Sequence, residues 1–206
     1  DKFALEIRNL QRTEIQELME PFRSEKQVGS SAMPAKRNPV LSERISSLAK
    51  LMRSMVVPAL ENVPLWHERD LTNSANERFI FPMSFIIIDE MLKAMNRVLK
   101  GLEIFPENMK KNLELTKGLI MSERVVNKLV EKGLGRQEAH ELVRICSMKA
   151  LQERMDFRTG LIRDVEIASK LKLKEIDECL DYSTYLGVTI QLIDNALKLT
   201  RTERKR

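Results

Sequence analysis

The sequence predicts an essentially all-α protein, on three observations. Apolar residues recur at alternating four- and three-residue steps over long stretches, a second apolar row widens one of these stretches until half of it is apolar all round, and no segment shows sustained alternation with β-branched residues. The expected architecture is a set of long bundle helices over residues 1–108, followed by a smaller all-helical domain over residues 109–206.

In chain order, Lys2 to Glu20 reads as a helix, with Phe3, Ile7, Leu10, Ile15, Leu18 and Met19 at near-helical spacing. The chain opens at Asp1 inside this pattern, so a truncated N-terminus is expected. A loop follows, and Pro39 then stands where a helix begins. Leu41, Ile45, Leu48, Met52, Met55 and Ala59 form a heptad seam. A second seam runs through Phe81, Phe85, Ile88, Leu92, Met95, Leu99 and Leu102, beside the row Ile80, Met83, Ile87, Met91 and Val98. A helix apolar on that many sides needs more partner surface than this chain offers, so other helices, from a missing N-terminal part or from other subunits, are expected, which points to an oligomeric bundle. The alternative, an ordinary monomeric core, would leave the second row of Met and Ile without a partner. Pro58 and Pro82 are expected to kink or break these helices. Residues 62–76, with Pro64, Trp66, His67, Arg69 and Asp70, have no clean period and read as an irregular connector. Phe105-Pro106-Glu107-Asn108 is a helix start, and the domain boundary is placed near it. Shorter helices are expected at Leu119 to Lys132, Arg136 to about Met155, Ile162 to Lys170, Lys174 to Leu180 and Thr189 to Thr200, with Gly133 as a left-handed cap.

The net charge of +5 arises from 35 basic and 30 acidic residues mixed along the chain, the pattern of a solvated surface of both signs. The only dense basic run, Arg201 to Arg206, has no interleaved aromatics, so nucleic-acid binding is not expected. Cys146 and Cys179 lack the spacing and the histidine neighbours of a zinc site, so no metal is expected, and both read as buried thiols of a reducing compartment. The longest apolar run, Phe79 to Ile88, is about half of what a bilayer requires. No signal or membrane segment is expected.

The densest concentration of chemistry is Gly29-Ser30-Ser31-Ala32-Met33-Pro34-Ala35-Lys36-Arg37-Asn38-Pro39. Small permissive residues, a hydroxyl pair, an ammonium and a carboxamide in one stretch are the material of a loop that closes over an anion. Read residue by residue, Gly-Ser-Ser alone is more readily a plain connector between helices. Arg69, Ser74 and Arg78 form a second cluster. If a helix starts near Thr72 or Asn73, Ser74 and Arg78 share a face beside a positive helix end, the makings of a phosphate site. The alternative is a set of surface ion pairs with Glu68, Asp70 and Glu77. His140, between Glu138 and Glu141, reads as a helix-surface residue.

The loop resembles the signature Gly-Ser-Ser-x-Met-Pro-x-Lys-x-Asn-Pro of the fumarase/aspartase superfamily at every fixed position. Ser42-Glu43-Arg44, Leu65-Trp66-His67-Glu68-Arg69-Asp70 and Ser74-Ala75-Asn76-Glu77-Arg78 look like its adenylosuccinate lyase branch. The resemblance covers nearly all of this chain but only the last part of such lyases. It implies β-elimination of fumarate from adenylosuccinate, giving AMP, and from SAICAR, giving AICAR, with no cofactor, in a cytoplasmic homotetramer whose sites draw on three subunits. By that correspondence Ser30 is the general base, and Lys36 and Asn38 stabilise the carbanion. Ser31 is a secondary donor to substrate, Glu43 supports Lys36, Arg44 contacts substrate, and Arg69, Ser74 and Arg78 bind the substrate and its phosphate. A serine base has to be delivered as an alkoxide, with Lys36 as the local cation. The histidine that protonates the leaving nitrogen lies upstream in the family, so His67 is not assigned and the chain by itself is expected to be inactive. The segment from about Arg23 to Arg37 is expected to be mobile without ligand and to close over substrate. The alternatives are an idle helical oligomerisation module, or another superfamily lyase such as an argininosuccinate lyase.

Overall fold

The computed structural model describes residues 1–22, 33 and 36–203, without the side chain of Thr202. The chain divides into two compact units, 1–112 and 113–206.

The first unit contains α1 (Lys2–Leu10), β1 (Leu18–Met19), α2 (Val40–Ser54), α3 (Val56–Leu60), α4 (Ser74–Lys100), β2 (Glu103–Ile104) and the greater part of α5 (Pro106–Glu114). Ala4 of α1, Ile45 and Ala49 of α2, and Ile87, Met91 and Ala94 of α4 form one buried cluster, and its three alanines let the helix axes approach closely. The helices run antiparallel in sequence order. Asp1 accepts from Arg53 at 2.8 Å, which sets the start of α1 against the end of α2. Arg44 meets Glu90 at 3.1 Å at one end of the α2–α4 pair. At the other end the Asn62 and Asn76 amides bond reciprocally, at 2.7 and 2.5 Å.

Three expectations change here. The first helix stops at Leu10 instead of continuing to Glu20, because a non-local pairing wins over the helical spacing: Leu18 and Met19 pair antiparallel with Ile104 and Glu103. The Phe105 amide donates to the Glu17 carbonyl at 3.0 Å, and Gln16 takes the left-handed conformation that turns the chain. Next, Pro58 and Pro82 differ in effect. Helix α2 ends at Ser54, the residue whose carbonyl the Pro58 ring would meet, whereas α4 continues through Pro82 without a break. Finally, the row of α4 facing its own unit is Ile80, Ile87, Met91, Ala94 and Val98. The expected seam is the exposed one, with Phe81, Phe85, Ile88, Leu92 and Leu99 open to solvent and Phe85 at 72% exposure. Helix α2 covers one stripe of α4, and the aromatic stripe is the one left uncovered in this chain.

The second unit contains a short 3-10 turn (Leu119–Met121), α6 (Ser122–Glu131), α7 (Arg136–Gln152), α8 (Phe157–Arg163), α9 (Val165–Lys170), α10 (Leu173–Leu180) and α11 (Thr189–Glu203). Gly133 is the left-handed cap, with φ +96°. Its amide donates to Val130 and that of Leu134 to Leu129, the paired bonds of a Schellman motif, and Leu129 and Leu134 both enter the core. The helix expected over Ile162 to Lys170 is two helices. Asp164 takes an extended conformation and accepts from the Glu166 and Ile167 amides, so it caps α9 and separates it from α8. Phe157, Leu129, Leu161, Ile167 and Ile176 are the large members of the core. His140 is exposed on α7.

Cys146 and Cys179 are both free and buried in this core. Burial pushes the Cys146 thiol up to about 11, and the Cys179 thiol upward for the same reason. Both are therefore expected to resist iodoacetamide at pH 8 in the folded protein and to react together once the unit is unfolded in denaturant. Mass spectrometry of the alkylated chain checks this, and rapid native labelling of either thiol would contradict it.

Candidate functional site

Of the signature stretch, Met33 and residues 36–39 are among the described residues. Ser30 and Ser31 lie outside them, as does most of the segment expected to move. Lys36, Arg37, Asn38 and Pro39 line a cleft of about 410 Å³ whose other wall is the end of α1 and the turn after it, with Arg8, Gln11, Arg12 and Thr13. Four cationic side chains thus border one cleft beside three side-chain amides, those of Gln11, Gln16 and Asn38. An anion with several oxygens suits that lining.

The cations differ in how far they are already engaged. Arg37 lies 5.3 Å over the Phe22 ring and 3.9 Å from the Glu103 carboxylate. Arg12 is 3.3 Å from Glu14. Lys36 is exposed and makes no ion pair with Glu43 among the described residues. Glu43 instead occupies the first turn of α2, where a carboxylate complements the helix end, and its amide donates to the Pro39 carbonyl at 2.8 Å. Arg44, beside it, is held by Glu90 of α4.

The sequence reading missed what fixes this cleft. Glu20, only 3% exposed, places its carboxylate at the start of α2 and accepts from the Leu41 amide at 2.8 Å, the Ser42 amide at 2.9 Å and the Ser42 hydroxyl at 3.0 Å. The α2 N-cap is Pro39, which has no side-chain acceptor, so Glu20 supplies the cap from 22 residues away. The Glu20 amide donates to the Gln11 side-chain oxygen at 2.9 Å, and the Gln11 amide nitrogen donates to the Arg37 carbonyl at 3.2 Å. Capping is usually local, and that is why neither residue stands out in the linear pattern.

The second cluster forms around the start of α4. Asp70 accepts from the Trp66 amide and from the Thr72 amide and hydroxyl, and those bonds hold its carboxyl below the usual aspartate range. Ser74 opens α4, and Arg78 follows one turn later on the same face. No ion pair joins Arg69 or Arg78 to Glu68, Asp70 or Glu77 among the described residues. The two clusters do not meet within this chain. Arg44 fixes the start of α2 beside Glu90, and Glu90 lies sixteen residues along α4 from Ser74, about 24 Å of helix.

Among the described residues no group of three or more His, Cys, Asp or Glu side chains could hold a metal ion, and no helix is long and apolar enough to cross a membrane.

Known proteins are similar to this chain along its whole length. The family described as "Adenylosuccinate lyase C-terminus" matches residues 118–196, and the family described as "Lyase" matches residues 1–52. The chain is 55% identical over 206 residues to the adenylosuccinate lyase of Pyrococcus abyssi, covering 100% of this chain and 45% of that protein. It is 44% identical over 186 residues to that of Bacillus subtilis, covering 90% of this chain and 43% of that protein. Among solved structures, a fumarate lyase from Mesorhizobium sp. BNC1 superposes with a TM-score of 0.81 at 27% identity, covering 96% of this chain and 43% of that one. The 3-carboxy-cis,cis-muconate lactonizing enzyme of Pseudomonas putida superposes with a TM-score of 0.79 at 29% identity, covering 96% and 42%. The chain spans less than half the length of these relatives.

Proposed function

Because the chain belongs to the adenylosuccinate lyase family, we propose that the whole protein eliminates fumarate from adenylosuccinate, releasing AMP, and from SAICAR, releasing AICAR. The observation that carries this reading is the pairing of Lys36 with Asn38 in a cationic cleft, directly after a complete Gly-Ser-Ser-x-Met-Pro loop.

The reaction removes a proton from the carbon beside a carboxylate, and the bond to nitrogen breaks as the double bond of fumarate forms. The proton is weakly acidic, so stabilising the aci-carboxylate that forms is the largest catalytic requirement. The Lys36 ammonium and the Asn38 carboxamide serve it. Ser30 takes the proton as an alkoxide sustained by nearby positive charge, and Ser31 donates to substrate. Glu43 complements the helix end behind Lys36 and keeps the loop end in register, and Arg44 contacts substrate. Arg69, Ser74 and Arg78 hold the nucleotide phosphate at the start of α4.

The start of α2, beside Glu90, lies about 18 Å along α4 from Arg78 and about 24 Å from Ser74, which supports a site assembled from several copies. The exposed aromatic seam of α4 is the surface on which they meet, in a homotetramer. In this reading residues 1–108 belong to the central bundle and 109–206 form the C-terminal domain. The acid that protonates the leaving nitrogen comes from outside this chain, so the chain alone is inactive. The protein works in the cytoplasm without a cofactor, and neither nucleic acid nor membrane takes part.

Incubating the whole protein with adenylosuccinate is expected to produce fumarate, read by its ultraviolet absorbance, with no turnover of argininosuccinate. Ser30→Ala is expected to lower the rate by several orders of magnitude. Turnover of argininosuccinate instead would reassign the branch. An unchanged rate in the Ser30 variant would leave an oligomerisation module that keeps the loop as a relic.

A further inference from the structure

The geometry points to Glu20, acting with Gln11, as a positioning residue that sets Lys36 and Asn38 against the other wall of the cleft; this rests on the roles given to Lys36 and Asn38 above. A buried carboxylate is costly unless it is fully bonded, and this one is spent on three donors at the start of α2, all within 3.0 Å. A helix cap alone needs only a local serine or aspartate. Reaching from 22 residues upstream does something a local cap cannot, because it ties the chain before the loop to the helix after it.

The tie extends in both directions. Gln11 bridges the Glu20 amide and the Arg37 carbonyl, so the end of α1, the segment before the loop and residues 37–38 share one hydrogen-bonded frame. Gln11 and Glu20 are buried, and Ser42 is fully so, which strengthens the bonds at the centre of the frame. The segment carrying Glu20 is also packed from behind. A Cβ on Gly101 would lie 2.7 Å from Pro21 Cβ, so the close approach of Pro21 to the end of α4 requires a glycine there. Lys36 precedes Arg37, and Asn38 follows it. Fixing the Arg37 carbonyl on one side and the Leu41 and Ser42 amides on the other leaves Asn38 between them few arrangements, and Lys36, one residue before Arg37, is anchored at that end. A group that must meet charge developing in a transition state gains from being set in advance, and displacement by about 1 Å costs on the order of 100-fold in rate.

The test is a double-mutant cycle in the whole protein, measuring adenylosuccinate turnover at a temperature where circular dichroism shows every variant folded. Glu20→Gln keeps the shape but sets an amide N–H2 against backbone donors, and it is expected to lower kcat roughly 30-fold while KM stays within about twofold. The readout that a merely structural role would not move is non-additivity: the Glu20→Gln/Lys36→Met double variant is expected to be slower than Lys36→Met alone by much less than the roughly 30-fold lost in the single Glu20 variant, the remainder coming from Asn38. Losses that multiply would overturn the proposal, as would a folded Glu20→Gln enzyme within about threefold of the unmodified rate. If Lys36→Met itself keeps its rate, the role of Lys36 falls, and the positioning role with it. That result is read from the single Lys36 variant and is distinct from failure at Glu20. Should Glu20→Gln not fold, Gln11→Leu removes the tie to Arg37 while leaving the α2 cap in place. It is then expected to lower kcat about tenfold with the same non-additivity, and an unchanged kcat would count against the proposal.

Discussion

Mixing two inactive forms of the whole protein, Lys36→Met and Arg78→Ala, is expected to restore turnover to about a quarter of the unmodified level after unfolding and refolding together. Each variant alone should lose on the order of 100- to 1,000-fold, because in the proposed reading one lacks the cation facing the carbanion and the other a guanidinium on the phosphate. The reason for rescue is geometric. In one chain the start of α2 is tied to Glu90, and Arg78 and Ser74 lie about 18 and about 24 Å away along α4, so in the proposed reading Lys36 and Arg78 serve one substrate from different copies. In a random mixture, about one site in four draws an intact Lys36 from one copy and an intact Arg78 from another. The rate after co-refolding, followed through fumarate absorbance, checks this. Mixtures that stay as inactive as the separate variants would show that both residues of a site come from the same chain, and the shared-site reading would fail.

The other large effect concerns stability. Phe157→Ala is expected to destabilise the second unit by about 3–5 kcal/mol, the usual cost of removing a fully buried ring. Phe157 is completely buried, opens α8, and packs with Leu129, Leu161, Ile167 and Ile176 in one cluster. Its amide donates to the Lys117 carbonyl at 2.9 Å, and its Cβ lies 3.6 Å from the place a side chain on Gly118 would take. The backbone around it therefore has little room to collapse into the cavity. Urea unfolding of the chain, followed by far-ultraviolet circular dichroism, should show the midpoint of this unit shifted down by more than 1 M, given a denaturant dependence of about 1–3 kcal/mol per molar. A shift within experimental error would mean that the cluster rearranges around the missing ring.

Much of this protein is legible along its sequence where the governing interaction is local. The period of Ile45, Leu48 and Met52 specifies a helix, Gly133 specifies its own left-handed cap, and Pro106 marks the start of α5, because each depends on neighbours within a turn or two. The all-α class follows from the same periodicity, and the contiguous signature loop identifies the family before any coordinates are considered. The break before Pro58 is local in the same sense, since the clash is with a carbonyl four residues back.

Tertiary structure decided what the sequence could not, and in each case the deciding partner is distant in the chain. Residues 11–17 leave the helix because Leu18 and Met19 find Ile104 and Glu103, some 85 residues on. Both rows of α4 are apolar enough to be core, and only the position of α2 selects Ile87 and Met91 as inward while leaving Phe81 and Phe85 to solvent. Glu20 is expected only as the last residue of the first helix, and the structure instead buries its carboxylate against the start of α2. The separation of roughly 18–24 Å between the start of α2 and the cluster at the start of α4 is likewise invisible in their sequence spacing, because an antiparallel pair of helices turns separation along the chain into separation along an axis. Short-range sterics and periodicity are written in adjacent residues, whereas register, inward face and long-range capping are settled only when remote segments compete for the same surface.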